Sequence, residues 1–104
     1  AAREVEDVLL THPAVQLAAV VAVPDELRGE EVMAFVSTTG DKDADEVFVN
    51  ELAEYCGQRL ARFKVPRYWE VRAELPVTAS HRVAKAGLVA APGRTWDRVD
   101  GVWR

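Results

Sequence analysis

The 104-residue sequence predicts one α+β domain: a small antiparallel sheet of about three strands, flanked by two helices, with a polar loop exposed near the C-terminus. Three observations carry this reading. Residues 4–10 and 45–62 place apolar side chains at helical spacing. Residues 15–23, 31–38 and 68–71 are apolar or alternating runs of strand length. Pro13, Pro24, Gly29, Gly40 and Pro66 punctuate the chain between them.

In the first helix Val5, Val8 and Leu9 share a face, and the acids come early, where the helix dipole favours them. His12-Pro13 stops it. The Ala/Val/Leu run of 15–23 reads as a buried strand. Residues 24–29 turn the chain, and 31–38 return as its hairpin partner, with Val32, Ala34 and Val36 on one face. After a solvated loop at 40–43, Asp45 is an N-cap for the longest helix, whose stripe is Val49, Leu52, Ala53, Cys56 and Leu60. Gly57 inside that stripe weakens the helix by about 1 kcal/mol relative to Ala, which points to a packing reason. Phe63-Lys64-Val65-Pro66 breaks it, residues 68–71 form the third strand, and 83–89 could form a short helix. Trp96 and Trp103 lie in a segment without clear period, so they either dock on the domain or belong to a further contact.

Composition narrows the function. Hydrophobic content of 49% with 29% charged residues is that of an ordinary soluble domain. The sequence has no apolar run near the ~20 residues that span a bilayer, and no signal-peptide pattern. One cysteine, Cys56, cannot form an internal disulfide, which fits a reducing cytoplasm. The single methionine is Met33, so a piece of something longer is expected. Two histidines and one cysteine do not make a metal site. The net charge of −4 hides an asymmetry: residues 1–54 hold 13 acidic and 3 basic side chains, residues 55–104 hold 4 and 10. A basic half suits an anionic ligand or an acidic partner surface, or simply complements the acidic half within the fold. It lacks the aromatic interleaving of a nucleic-acid surface.

The most informative stretch is Leu75-Pro76-Val77-Thr78-Ala79-Ser80-His81-Arg82-Val83-Ala84-Lys85. It resembles the lysine-bearing loop near the C-terminus of adenylate-forming enzymes, the acyl-CoA synthetases and their relatives. That loop usually reads Leu-Pro-x-Thr-x-Ser-Gly-Lys-Val-x-Lys/Arg; here His81 stands at the glycine and Arg82 at the lysine. Three more collinear segments carry the same resemblance: Arg3-Glu4-Val5-Glu6 leading to His12-Pro13-Ala14-Val15, the 18–25 run followed by Arg28-Gly29-Glu30, and Leu60-Ala61-Arg62-Phe63-Lys64-Val65-Pro66.

The resemblance implies that residues 1–90 are the mobile C-terminal lid domain of an AMP-forming acyl-CoA synthetase, with 91–104 as a tail. The partner would be a large N-terminal domain binding the acid and ATP, with any Mg²⁺ carried by ATP there. Alone, the lid would not turn over. Arg82 would be the catalytic cation, with Lys85 in reserve; read only as residues, either is a solvated loop cation, and His81 is a lone exposed histidine. Phe63, Lys64 and Arg67 would meet CoA by stacking and charge pairing, and Arg28 and Gly29 would lie near its pantetheine path. Phe63 also reads as core, Lys64 as a helix-end cation, and Gly29 as a hairpin glycine. The resemblance equally admits the tail of an adenylation domain that loads a carrier protein. Loss of the lysine admits a lid retained for binding or regulation.

Overall fold

The computed structural model describes residues 2–40 and 43–104, so the loop expected at 40–43 lies partly outside the described residues. The elements are α1 (Ala2–Leu10), β1 (Val15–Asp25), β2 (Gly29–Thr38), α2 (Glu46–Gly57), β3 (Tyr68–Arg72), β4 (Trp96–Asp97) and β5 (Val102–Trp103), with 3₁₀ turns at Arg62–Lys64 and Lys85–Gly87. The class is α+β as predicted. The sheet has five strands in chain order rather than three. It is also not wholly antiparallel: β2 and β3 run parallel, Met33 opposite Tyr68 through Ser37 opposite Arg72. The reason is α2, which carries the chain back to the end where β2 began, as parallel neighbours require.

The strand alternation divides the core. Ala18, Val20, Ala34, Val36, Trp69 and Val71 face the helices, where Val5 and Leu9 of α1 and Phe48, Val49, Leu52 and Cys56 of α2 cover them. Ala19, Met33 and Phe35 face the other way, where Leu75, Val83 and Leu88 of the irregular segment close over them. A bulge between Val15 and Leu17 sets this phase. β1 is a free edge, which explains how Pro24 is accommodated within it.

Asp45 caps α2 as expected, its carboxylate accepting from the Phe48 N–H at 2.9 Å. The helix stops at Gly57, not at residue 62. Ala61 and Val65 are already extended, and Pro66 disfavours helix in the residue before it. No packing reason for Gly57 exists: a Cβ there would meet nothing within 4 Å. The short helix expected at 83–89 shrinks to one 3₁₀ turn because Val83 pairs with Val77 across a β-bridge.

Residues 91–104 complete the sheet. β4 pairs with β3, β5 pairs with β4, and the Trp96 and Trp103 rings lie 5.1 Å apart. Trp96 is buried and donates its indole N–H to Asn50 on α2. No helix among the described residues is long and apolar enough to cross a membrane.

Candidate functional site

The 77–83 segment is a hairpin projecting from the sheet face opposite the helices. Thr78 N–H donates to the Arg82 carbonyl at 2.7 Å, His81 N–H to the Thr78 carbonyl at 3.0 Å, and Ala84 N–H to the Pro76 carbonyl at 2.8 Å. The Thr78 hydroxyl accepts weakly from the Arg82 N–H at 3.3 Å. His81 has φ +62°, the only positive value on a non-glycine among the described residues. A glycine adopts that conformation freely, whereas an L side chain pays about 1 kcal/mol for it. The turn therefore holds, with a side chain at this position, a backbone shape that glycine adopts without cost. Arg82 follows at the exposed tip, and its guanidinium makes no hydrogen bond or ion pair among the described residues. It shares a cleft of about 390 Å³ with Arg3, Glu6, Asp7, Leu17, His81 and Lys85.

Lys85 is placed differently. Its ammonium pairs with Glu6 of α1 at 2.5 Å and donates to the Val20 carbonyl at 3.1 Å. The same Glu6 oxygen accepts from the Val20 N–H at 2.8 Å. One ion pair thus closes on both backbone groups that Val20 turns to the free edge of β1.

The residues expected to meet CoA fall into two places. Phe63 is 79% exposed, so it is not core, and Lys64 sits beside it with its ammonium 5.8 Å from the ring. Lys64 also pairs with Glu4 at 2.6 Å. Both line an apolar cleft of about 240 Å³ with Ala2, Val5, Val21 and Val32. Arg28 and Gly29 lie at the β1–β2 tip. There Asp25 accepts from the Leu27 and Arg28 N–H groups, and Gly29 has φ +81° with open space around it. The backbone angle accounts for the glycine, as a three-residue hairpin requires.

Arg67 is fully engaged. Its Nε and Nη2 meet the two oxygens of Asp97 at 3.0 Å each, Nη2 reaches Asp100 at 3.4 Å, and Glu31, which also pairs with Arg28, lies 3.9 Å away. Arg104 adds a second guanidinium to Asp97 at 2.9 Å. Burial would raise the Asp97 carboxyl, but its bonds from Arg67, Arg104 and the Asp100 N–H outweigh that and hold it well below the usual carboxylate range. Next to it Arg98 donates to the Pro66 and Val65 carbonyls, and burial lowers its guanidinium from the ordinary value. This cluster clips β4 and β5 to β3. Cys56 is buried and its thiol is pushed up to about 11 by desolvation, so it is packing. No group of three or more His, Cys, Asp or Glu side chains among the described residues could hold a metal ion.

The structure keeps the two predicted sets apart: Arg82 opens beside the start of β1, whereas Phe63 and Lys64 lie beside its middle, Arg67 sits across β2 from its last turnward residues, and Arg28 lies past its end. Sequence reasoning missed Glu6, Asp97 and Arg104. Glu6 stood within one of the resembling segments, but nothing local marks its partner 79 positions on. Asp97 and Arg104 carry no local signal, since their pairing exists only once β4 reaches β3.

Known proteins resemble this chain in sequence and fold. The family model described as AMP-binding enzyme C-terminal domain matches residues 4–82. A long-chain-fatty-acid–CoA ligase of Bacillus subtilis (strain 168) is 42% identical over 87 residues, 84% of this chain and 15% of that protein. A crotonobetaine/carnitine–CoA ligase of Escherichia coli O8 (strain IAI1) is 35% identical over 85 residues, 82% of this chain and 16% of that one. The crystal structure of Brucella canis acyl-CoA synthetase superposes with a TM-score of 0.76 at 39% identity, over 81% of this chain and 16% of that chain. The chain therefore spans about a sixth of the relatives it matches. By the match over residues 4–82 and these likenesses, the chain belongs to the AMP-binding enzyme C-terminal domain family.

Proposed function

We propose that this chain is the C-terminal domain of an AMP-forming acyl-CoA synthetase and that Arg82 is its adenylation cation. The observation that carries the reading is the contrast between two cations of one loop: Arg82 is unpartnered at the tip, whereas Lys85 is held by Glu6. In adenylation a carboxylate oxygen attacks the α-phosphorus of ATP, the bond to the bridging oxygen breaks, and pyrophosphate leaves. Charge builds on the phosphoryl oxygens, and a cation presented there stabilises the transition state more than the ground state. A guanidinium keeps the charge of the family's lysine in a longer, forked form. In the second half-reaction the CoA thiolate attacks the acyl carbon and AMP leaves. Phe63 offers an exposed ring for the adenine, with Lys64 beside it for a phosphate. The Arg28–Gly29 tip leaves room for a ligand to approach. The acid, ATP and its Mg²⁺ belong to a large N-terminal domain, and the reaction belongs to a cytoplasmic enzyme.

The test is ATP–pyrophosphate exchange in the full-length enzyme that contains this chain. Arg82→Ala should slow adenylation about 10²-fold. Thioester formation from preformed acyl-adenylate should stay nearly unchanged, because in this family the domain presents another face for that step. Unchanged exchange would remove Arg82 from the chemistry and favour a lid retained for binding or regulation. A loaded carrier protein outcompeting CoA as acceptor would move the enzyme to the carrier-loading class.

A further inference from the structure

We propose that Glu6 and Lys85 are positioning residues for Arg82. Resting on the adenylation reading of Arg82, this inference assigns the device that aims it.

The argument begins with the faces of the sheet. The Arg82 hairpin sits on the side covered by Leu75, Val83 and Leu88, while α1 lies on the other side with Val5 and Leu9 in the helix-side core. A hairpin resting on one face by these aliphatic side chains alone can still rock about the sheet edge. Lys85, three residues beyond Arg82, reaches around the free edge of β1 and meets Glu6 from the opposite side. Glu6 is itself fixed, because its Oε2 accepts the Val20 N–H while the Lys85 ammonium takes the Val20 carbonyl. Helix, edge strand and loop are thereby locked through two hydrogen bonds on one residue of β1 and the ion pair that joins them. The partly shielded pair, with Glu6 16% and Lys85 42% exposed at the side chain, is screened less than an open surface bridge. The Val77–Val83 bridge and the Thr78–Arg82 hydrogen bonds then pass this anchoring up the hairpin to the Arg82 backbone. The clamp also occupies the only backbone pair of Val20 available for edge-to-edge pairing, so the same residues blunt the exposed strand.

A cation held this way acts as a preorganised donor; one on a rocking loop does not, and misplacement of about 1 Å can cost 10²-fold in rate. Lys85 does not touch substrate in this scheme. Its ammonium is spent on Glu6 and Val20.

The experiment is a mutant cycle in the full-length enzyme, reading ATP–pyrophosphate exchange, thioester formation from preformed acyl-adenylate, and the thermal midpoint. Glu6→Gln and Lys85→Met should each lower kcat for adenylation by about 10- to 100-fold, with KM for ATP within about twofold. Thioester formation should be spared. Lys85→Arg, which keeps the pair, should restore most of the rate. In an Arg82→Ala background neither Glu6→Gln nor Lys85→Met should slow adenylation further, since there is no guanidinium left to aim. Multiplicative losses in that background would make Lys85 a second substrate-contacting cation and overturn the inference while leaving the function of Arg82 intact. Equal losses in both half-reactions with a lowered midpoint would reduce the clamp to a folding contact and overturn it. An Arg82→Ala enzyme with normal exchange would overturn the adenylation reading and the inference together.

Discussion

Arg67 and Asp97 form a two-pronged ion pair, Nε to Oδ1 and Nη2 to Oδ2 at 3.0 Å each, between the start of β3 and a carboxylate with no exposed surface. Thirty residues separate them in the chain, and their pairing decides that the last strands join the sheet. It also sets the Arg67 guanidinium, expected to meet a nucleotide, against an acidic partner. Five expectations follow from this pair and from other local geometry.

Asp97→Asn should unfold the docked tail first. It leaves two guanidiniums facing a neutral amide, and removing one partner of a buried pair typically costs about 3–5 kcal/mol. Trp96 and Trp103 are adjacent reporters, so their fluorescence should shift at lower urea than the far-UV signal of the helices. Coincident, unshifted transitions would show that the clip contributes nothing.

The same carboxylate sets an acid limit. Its folded pKa is depressed, so its contribution to stability is complete above the unfolded aspartate value of about 3.9 and is lost progressively as pH falls from there through the folded value. Stability should be flat from neutrality to about pH 5 as far as this group is concerned, then decline. In Asp97→Asn the part of that decline owed to this carboxylate should vanish, as urea midpoints at a series of pH values would reveal.

Phe63 offers a clean test of the CoA face and Arg67 does not. Phe63→Ala removes an exposed ring and should leave the thermal midpoint within about 1 °C, because surface changes are usually within 0.5 kcal/mol. In the full-length enzyme it should weaken thioester formation and spare adenylation. Arg67→Ala should lower the midpoint by several degrees through the Asp97 charge left buried, so a fall in activity there would not by itself report CoA binding.

His81→Gly relieves a left-handed backbone at φ +62° and should tighten or leave unchanged the urea midpoint, against the usual destabilisation by glycine. The two effects oppose each other at about 1 kcal/mol each. A loss above 1 kcal/mol would mean that the imidazole makes a stabilising contact. Cys56, buried with its thiol pushed up to about 11, should resist iodoacetamide at pH 8 until the domain unfolds, and labelling at the rate of a free thiol would contradict its place in the helix-side core.

The sequence by itself determined the class, the two helices, the first three strands and the loop that carries Arg82. These rest on local causes: apolar spacing, the Asp45 cap, the glycine demanded at position 29 by a tight hairpin, and proline stops. At His81 the sequence showed a side chain standing where the resembled loop has glycine, and the fold supplied the left-handed backbone. Tertiary structure alone decided the rest. The direction of β3 follows from α2 lying between it and β2, and the two short strands are held by pairing rather than by pattern, being two residues long. Which cation is free was likewise hidden. Arg67, Arg82 and Lys85 read alike as basic residues, and only the fold brings Asp97 to the first and Glu6 to the third while leaving the second open. Charge can be counted along a chain, but whether a charge is spent depends on partners 30 or 79 positions away.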